Sequence, residues 1–154
     1  MIKDIVLNTT GYQLTFELKE LQHSKDNLDL TIVFSLDPRL SNVVVKSIPM
    51  PILISDLQGM IDYFEEHIAS LQENPDSEGY TFVTLDLQFQ MQAFSGEVRS
   101  PDDGEFTLRS MVNIGKLNSE GSSVYVGGET LVTLENINSF ISSIRDVIVK
   151  RTLS

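Results

Sequence analysis

Apolar residues in this chain recur first at every second position and then at helical spacing, and this change of period constrains the fold more than any other feature. Leu14, Phe16 and Leu18 alternate with Thr15, Glu17 and Lys19, and Leu28, Leu30, Ile32, Phe34 and Leu36 repeat the alternation after the polar run His23 to Asn27. Alternation puts one face of a strand in a core, so these segments predict an antiparallel hairpin. Ile5 and Leu7 predict a short strand before it. Asn42 to Ile48, with the β-branched run Val43-Val44-Val45, predicts another after Asp37-Pro38. From 55 to 72 the period lengthens: Leu57, Met60, Ile61, Phe64, Ile68 and Leu71 fall on one helical face, and Ser55 with Gln58 predicts a capping box. Asn74-Pro75 closes the helix.

The second half runs the same way. Val83, Leu85, Leu87, Phe89 and Met91 alternate with Thr84, Asp86, Gln88 and Gln90, so the apolar row is expected in the core and the polar row outside it. Phe94 and Val98 then lie out of phase, which predicts a β-bulge or break near Gln92-Ala93. Ser100 to Gly104 reads as a tight connection into a strand that carries Phe106, Leu108, Val112 and Ile114 on one face, making a second hairpin. A polar loop from Gly115 to Ser123, a short strand Val124 to Val126 and an extended stretch Thr130 to Leu134 follow. Ile137, Phe140, Ile141, Ile144, Val147 and Ile148 then return to helical spacing, with Arg145, Lys150 and Arg151 placed to suit the dipole of a final helix. The expectation is a single α+β domain over residues 1–154, with antiparallel, sandwich-like sheets and two amphipathic helices.

At 154 residues, one core is the usual outcome, and 41% hydrophobic content is enough to fill it. There is no cysteine, which excludes disulfides, thiolate metal sites and a cysteine nucleophile. No secretion signal and no long apolar run is evident, so a cytoplasmic location without membrane contact is expected. The net charge of -11 argues against nucleic-acid binding, and its placement says more. From Ser47 to Leu108 there are twelve Asp and Glu against Arg99 alone, while the remaining ten acids and ten bases cancel. The excess lies in the middle of the chain.

Catalytic signatures are absent. His23 falls in a polar loop and His67 on the expected solvent side of the first helix, neither within a metal or triad motif. Asp102, Asp103 and Glu105 flank Gly104 as calcium ligands can, but they lack the EF-hand pattern and read as hairpin-turn chemistry. Asp86 and Glu97 form a carboxylate pair only if folding sets them at glycosidase distance. Gly127-Gly128 has neither the lysine of a phosphate loop nor dinucleotide spacing, and is expected at a bulge or turn. Tyr80, Phe82 and Phe89 read as core rather than as a base-stacking surface, because the local charge repels phosphate. No cofactor is implied.

Asp62, Glu65, Glu66 and Glu73 lie opposite the apolar stripe of the first helix, with Asp76, Glu78, Asp102, Asp103 and Glu105 in flanking loops. Brought together, they would attract and steer a basic protein, a toxin being one such partner; dispersed, they serve as a solvated face. The alternative is a small-ligand protein or enzyme whose site is assembled from Asp86, Glu97, Arg99 and Arg109.

In three parts the sequence resembles the WapI-type bacterial immunity protein family. They are Leu30 to Phe34 with the helix start Ser55-Asp56-Leu57 followed by Met60, Ile61 and Phe64; the strand Phe82 to Phe89; and Leu131-Val132-Thr133 leading into Ile137, Phe140 and Ile144. Thr84 stands where that family carries an acidic residue, and Leu85 where it carries proline. The resemblance implies a sandwich of antiparallel strands with two helices, no cofactor, no catalytic residues and a role in binding a protein.

Overall fold

A computed structural model describes residues 2–153. The elements run β1 (Ile5–Asn8), β2 (Tyr12–Glu20), β3 (Asn27–Leu36), β4 (Val44–Lys46), β5 (Met50–Leu53), α1 (Ile54–Glu73), β6 (Phe82–Val83), β7 (Phe89–Ser100), β8 (Asp103–Gly115), β9 (Val124–Thr133) and α2 (Leu134–Leu153). Two antiparallel sheets and two helices make an α+β fold. The first sheet has the order β1-β2-β3-β4, with β5 also paired to β3, and the second the order β6-β7-β8-β9. No helix among the described residues is long and apolar enough to cross a membrane.

In the first sheet the alternation is obeyed throughout. Tyr12, Leu14, Phe16 and Leu18 of β2 and Leu28, Leu30, Ile32 and Phe34 of β3 are buried, and the pairing runs from Tyr12↔Leu36 to Glu20↔Leu28 without a shift. Each strand thereby presents one apolar face. The strand after Asp37-Pro38 is shorter than its β-branched run suggests, because β3 is shared: Val33 to Ser35 pair with β4 and Asn27 to Leu30 with β5, a strand the alternation did not reveal. Pro51, which has no N–H to offer a ladder, sits in that edge strand.

Both helices cover the expected stripes. Leu57, Met60, Ile61, Phe64, Ile68 and Leu71 of α1 and Leu134, Ile137, Phe140, Ile141, Ile144 and Val147 of α2 are buried. α1 packs on β7, β5 and α2, and α2 on β1, β8, β9 and α1. Phe140 ties the layers together, its ring edge-on to Phe16 of β2 at 5.4 Å and to Phe64 of α1 at 6.2 Å. The Ser55–Gln58 capping box does not form. The helix starts a residue earlier, and Asp56 reaches back to accept the Leu53 N–H at 3.3 Å, while Gln58 donates to Asp62 instead. At α2, the Thr133 hydroxyl accepts the Asn136 N–H at 3.2 Å, a side-chain cap on the first turn.

The second sheet departs from the alternation. Phe89 and Met91 are buried as expected, but Val83, Leu85 and Leu87 are 44%, 89% and 49% exposed, and Thr84 and Gln88 are buried. The strand breaks after Val83. Residues 84–87 make a turn closed by the Leu87 N–H donating to the Thr84 carbonyl, with Leu87 itself at φ 53. That conformation is costly for a side chain of this kind. It is held by two donors on the Leu87 carbonyl, Tyr125 Oη at 2.9 Å and Asn113 Nδ2 at 3.2 Å.

The physical reason for the reversed face is Gln88. Leu30, paired with Met50, is the last residue of β3 beside β5, and the chain between β4 and β5 crosses the gap that follows it. Gln88 Nε2 donates to the Leu30 carbonyl at 2.6 Å and to the Ile48 carbonyl at 3.1 Å, pinning the second sheet to the gap in the first. Buried carbonyls left without donors are costly, and this outweighs the burial of two leucines at a turn.

Further along, the β7–β8 register shifts between Ala93 and Gly96, where the phase change predicted a bulge. Ile114 is exposed rather than in line with Val112, because Asn113 turns inward and its Oδ1 accepts the Gly115 N–H as the β8–β9 register shifts. Gly127-Gly128 lies inside one continuous strand, β9, not at a turn. A Cβ on Gly127 would lie 1.9 Å from the Ser110 carbonyl oxygen and one on Gly128 2.9 Å from the Tyr12 ring, so close approach requires both glycines. Tyr12 uses the space to donate from its hydroxyl to the Leu108 carbonyl at 2.9 Å.

Candidate functional site

Because the apolar stripe of α1 is buried, the opposite face is turned outward, and Asp62, Glu65, Glu66 and Glu73 are all exposed. Glu65 is tied to Arg145 of α2 at 2.8 Å across the outer seam of the helices, each side chain about half exposed. Such a pair contributes at most about 1 kcal/mol and is screened by salt. Among the described residues no cation lies within ion-pair distance of Asp62, Glu66 or Glu73. The sequence did not signal the Arg145 partnership, since the two residues lie 80 positions apart.

The loop acids continue this region. Asn74 ends α1, its Oδ1 accepting the Asp76 N–H at 3.0 Å, and the Pro75 carbonyl accepts the Gly96 N–H from β7 at 3.1 Å. That bond seats the loop carrying Asp76 and Glu78 beside Glu97. Arg99 in turn gathers Glu97 at 3.3 Å, Asp103 at 2.9 Å and Glu105 at 3.2 Å, three carboxylates on one guanidinium. The Arg99 guanidinium holds the Asp103 carboxyl below its usual range. Asp102 turns the other way and accepts from Asn138 of α2 at 3.4 Å. The carboxylates therefore extend from α1 through its C-terminal loop to the β7–β8 hairpin, with Arg145 paired at Glu65 and Arg99 at the hairpin.

The dispersed set Asp86, Glu97, Arg99 and Arg109 does not converge. Asp86 lies in the exposed turn before β7 and Glu97 near the other end of that strand, on the order of 25 Å away at the rise per residue of a strand. Glycosidase chemistry needs a far shorter separation. Arg109 stacks over Phe94 at 4.9 Å and pairs with Glu129 at 2.8 Å on the outer face of the second sheet, away from Arg99 and its three acids. Asp102, Asp103 and Glu105 do not assemble as calcium ligands, and among the described residues no group of three or more His, Asp and Glu is placed to hold a metal ion.

His23 is exposed, as expected. His67 is not on the solvent side. It is buried, its Nε2 is 2.8 Å from the Phe94 carbonyl, and its ring meets Phe106 edge-on at 4.9 Å. The helical pattern of the sequence placed it outside the stripe, but the bulge in β7 turns a carbonyl toward it and draws it inward. Burial lowers its pKa against the opposing effect of that hydrogen bond. Beside it, Tyr63 donates to the Tyr80 carbonyl at 2.6 Å and accepts the Ala93 N–H at 2.9 Å, and burial raises its pKa.

A cavity of about 190 Å³ lies between β1 and α2, lined in part by Lys3, Asp4, Glu20, Asp146 and Lys150. Its charges are of both signs, and it is smaller than the roughly 300 Å³ at which small-molecule sites begin. No protein-family model matches the chain, and no curated protein is significantly similar to it.

Proposed function

We propose that this chain is a protein-binding module that takes a basic protein on the acidic outer face of α1, as an immunity protein takes a toxin. The observation that carries the reading is the row Asp62, Glu66 and Glu73, exposed on a rigid helix and unneutralised, with the loop acids Asp76 and Glu78 extending it. A concentrated field of one sign raises encounter rates with a partner of the other sign, and it does so without a pocket. The resemblance to the immunity family points to the same class of partner.

The test separates binding from folding. Asp62→Lys combined with Glu66→Lys leaves Glu65 and Arg145 intact and changes only exposed groups, so stability should move by no more than about 0.5 kcal/mol. Association with a basic protein captured at low salt should slow in the double variant, and the salt dependence of the rate should flatten. Retention of no basic protein, or equally fast association by the variant, would defeat the reading and leave α1 with a solvated face.

A further inference from the structure

At the end of the first sheet where β1 and β3 finish, the outer face sinks into a groove of about 550 Å³. That volume falls within the usual range of small-molecule sites, which the cavity beside α2 does not reach. The sheet register sets its floor. Asn8 pairs with Gln13, Gln13 with Ser35 and Ser35 with Val44, so β1 to β4 bring these residues into one row. Their chain neighbours Leu7, Tyr12, Leu14 and Phe34 are buried, so the row points outward. At strand spacing, Asn8 and Ser35 stand about 10 Å apart with Gln13 between them.

The wall of the groove is the turn 37–43, and backbone bonds fix it. The Asp37 N–H donates to the Gly11 carbonyl at 2.8 Å, the Leu40 N–H to the Asp37 carbonyl at 2.9 Å and the Leu36 N–H to the Val43 carbonyl at 2.9 Å. The turn adds Pro38, Ser41 and Asn42 to the lining. A site held in this way loses little to ordering when a ligand arrives.

The lining is uncharged in effect. Among the described residues around the groove Asp37 alone carries a charge, and Arg39 covers it, donating Nε to Oδ1 at 3.1 Å and Nη2 to Oδ2 at 2.8 Å. In a chain of net charge -11, this is a neutral patch. Among the described residues the side chains of Asn8, Ser35, Ser41 and Asn42 meet no hydrogen-bond partner, and Gln13 makes only a long bond of 3.4 Å to Thr15. Amides and hydroxyls both donate and accept, as do the hydroxyls of a sugar, whereas an ionic ligand would find no counter-charge here. The backbones under the row are paired within the sheet, so a peptide strand would find no ladder to join. Val44, 65% exposed at the end of the row, and Pro38 offer apolar surface to a C–H face.

We propose that this groove binds an uncharged saccharide, its hydroxyls bonded to Asn8, Gln13 and Ser35 and its C–H faces resting on Val44 and Pro38. The site is separate from the acidic face of α1, a helix that packs on β7, β5 and α2. Titration of isotope-labelled protein with maltotriose, cellotriose and chitotriose tests it. At least one should shift the side-chain amide signals of Asn8, Gln13 and Asn42, with a Kd on the order of 1 mM. Gln13→Ala removes an exposed side chain, so it should keep the wild-type melting temperature while raising that Kd roughly three- to tenfold. Thr31→Ala, two rows along the same face of β3 and outside the groove, should leave the Kd unchanged. Trigalacturonate, an anionic counterpart, should bind at least about tenfold more weakly. The proposal is overturned if none of the three neutral sugars shifts these signals at about 50 mM, if Gln13→Ala binds as tightly as wild type, or if trigalacturonate binds as tightly as the neutral sugars.

Discussion

The hairpin β2–β3 and the segment from β6 into β7 carry the same apolar alternation, yet only the first uses it. In β2–β3 the apolar row is buried from Leu14 to Leu18 and from Leu28 to Phe34 over an unbroken register, with Leu36 partly buried at its end. Between Val83 and Phe89 the row is turned to solvent and the polar row supplies Thr84 and Gln88 to the interior. The two segments differ in what they must do for their neighbours. β2 and β3 satisfy one another's backbones, whereas the later segment also brings the Gln88 amide to the Leu30 and Ile48 carbonyls beside the gap between β4 and β5. Alternation reports a face only where the ladder is continuous on both sides; where a distant carbonyl needs a partner, a buried amide can override it.

The sharpest contrast is in the cores of the two regions, where they should agree. Phe16 and Phe89 meet at 5.5 Å with rings at 69°, one from each sheet, and both are buried. Phe16→Ala and Phe89→Ala should each cost about 3–5 kcal/mol in urea unfolding. A loss near 1 kcal/mol for Phe89 alone would mean that the second sheet is not packed against the first as described.

A smaller effect should separate the regions by pH. The second region holds His67 against the β7 bulge, and no histidine is buried in β2–β3. Because the folded state lowers the His67 pKa, the unfolded chain binds the proton more readily. The contribution is intact above the ordinary imidazole value near 6.5, and it is lost as pH falls from there toward the lowered value. Amide exchange in α1 and β7 should therefore quicken relative to β2–β3 over that window, and His67→Gln should flatten the difference. An unchanged ratio of exchange rates in wild type would contradict the burial of this ring.

What was legible followed the same division. The hairpin Tyr12–Leu36, the buried stripes of both helices, the break in phase near Ala93 and the exposure of Asp62, Glu65, Glu66 and Glu73 could all be read from spacing, because each depends on residues close in sequence. Gln88 inward, Leu85 outward, His67 under β7 and Glu65 on Arg145 could not, because each is decided by a group 27 or more positions away. β5 was hidden for a related reason: its place beside β3 depends on where β4 stops.

The claim that a polar clamp at Gln88, rather than the apolar row Val83, Leu85 and Leu87, holds the segment before β7 to the first sheet is tested most directly by urea unfolding of Leu85→Ala beside Gln88→Ala. Leu85 is 89% exposed and Gln88 1% exposed. The expected result is a Leu85→Ala midpoint within experimental scatter of wild type, and a Gln88→Ala loss of about 1–3 kcal/mol from the loss of its buried hydrogen bonds. A loss of that size for Leu85→Ala with Gln88→Ala unchanged would restore the alternating row and contradict the clamp.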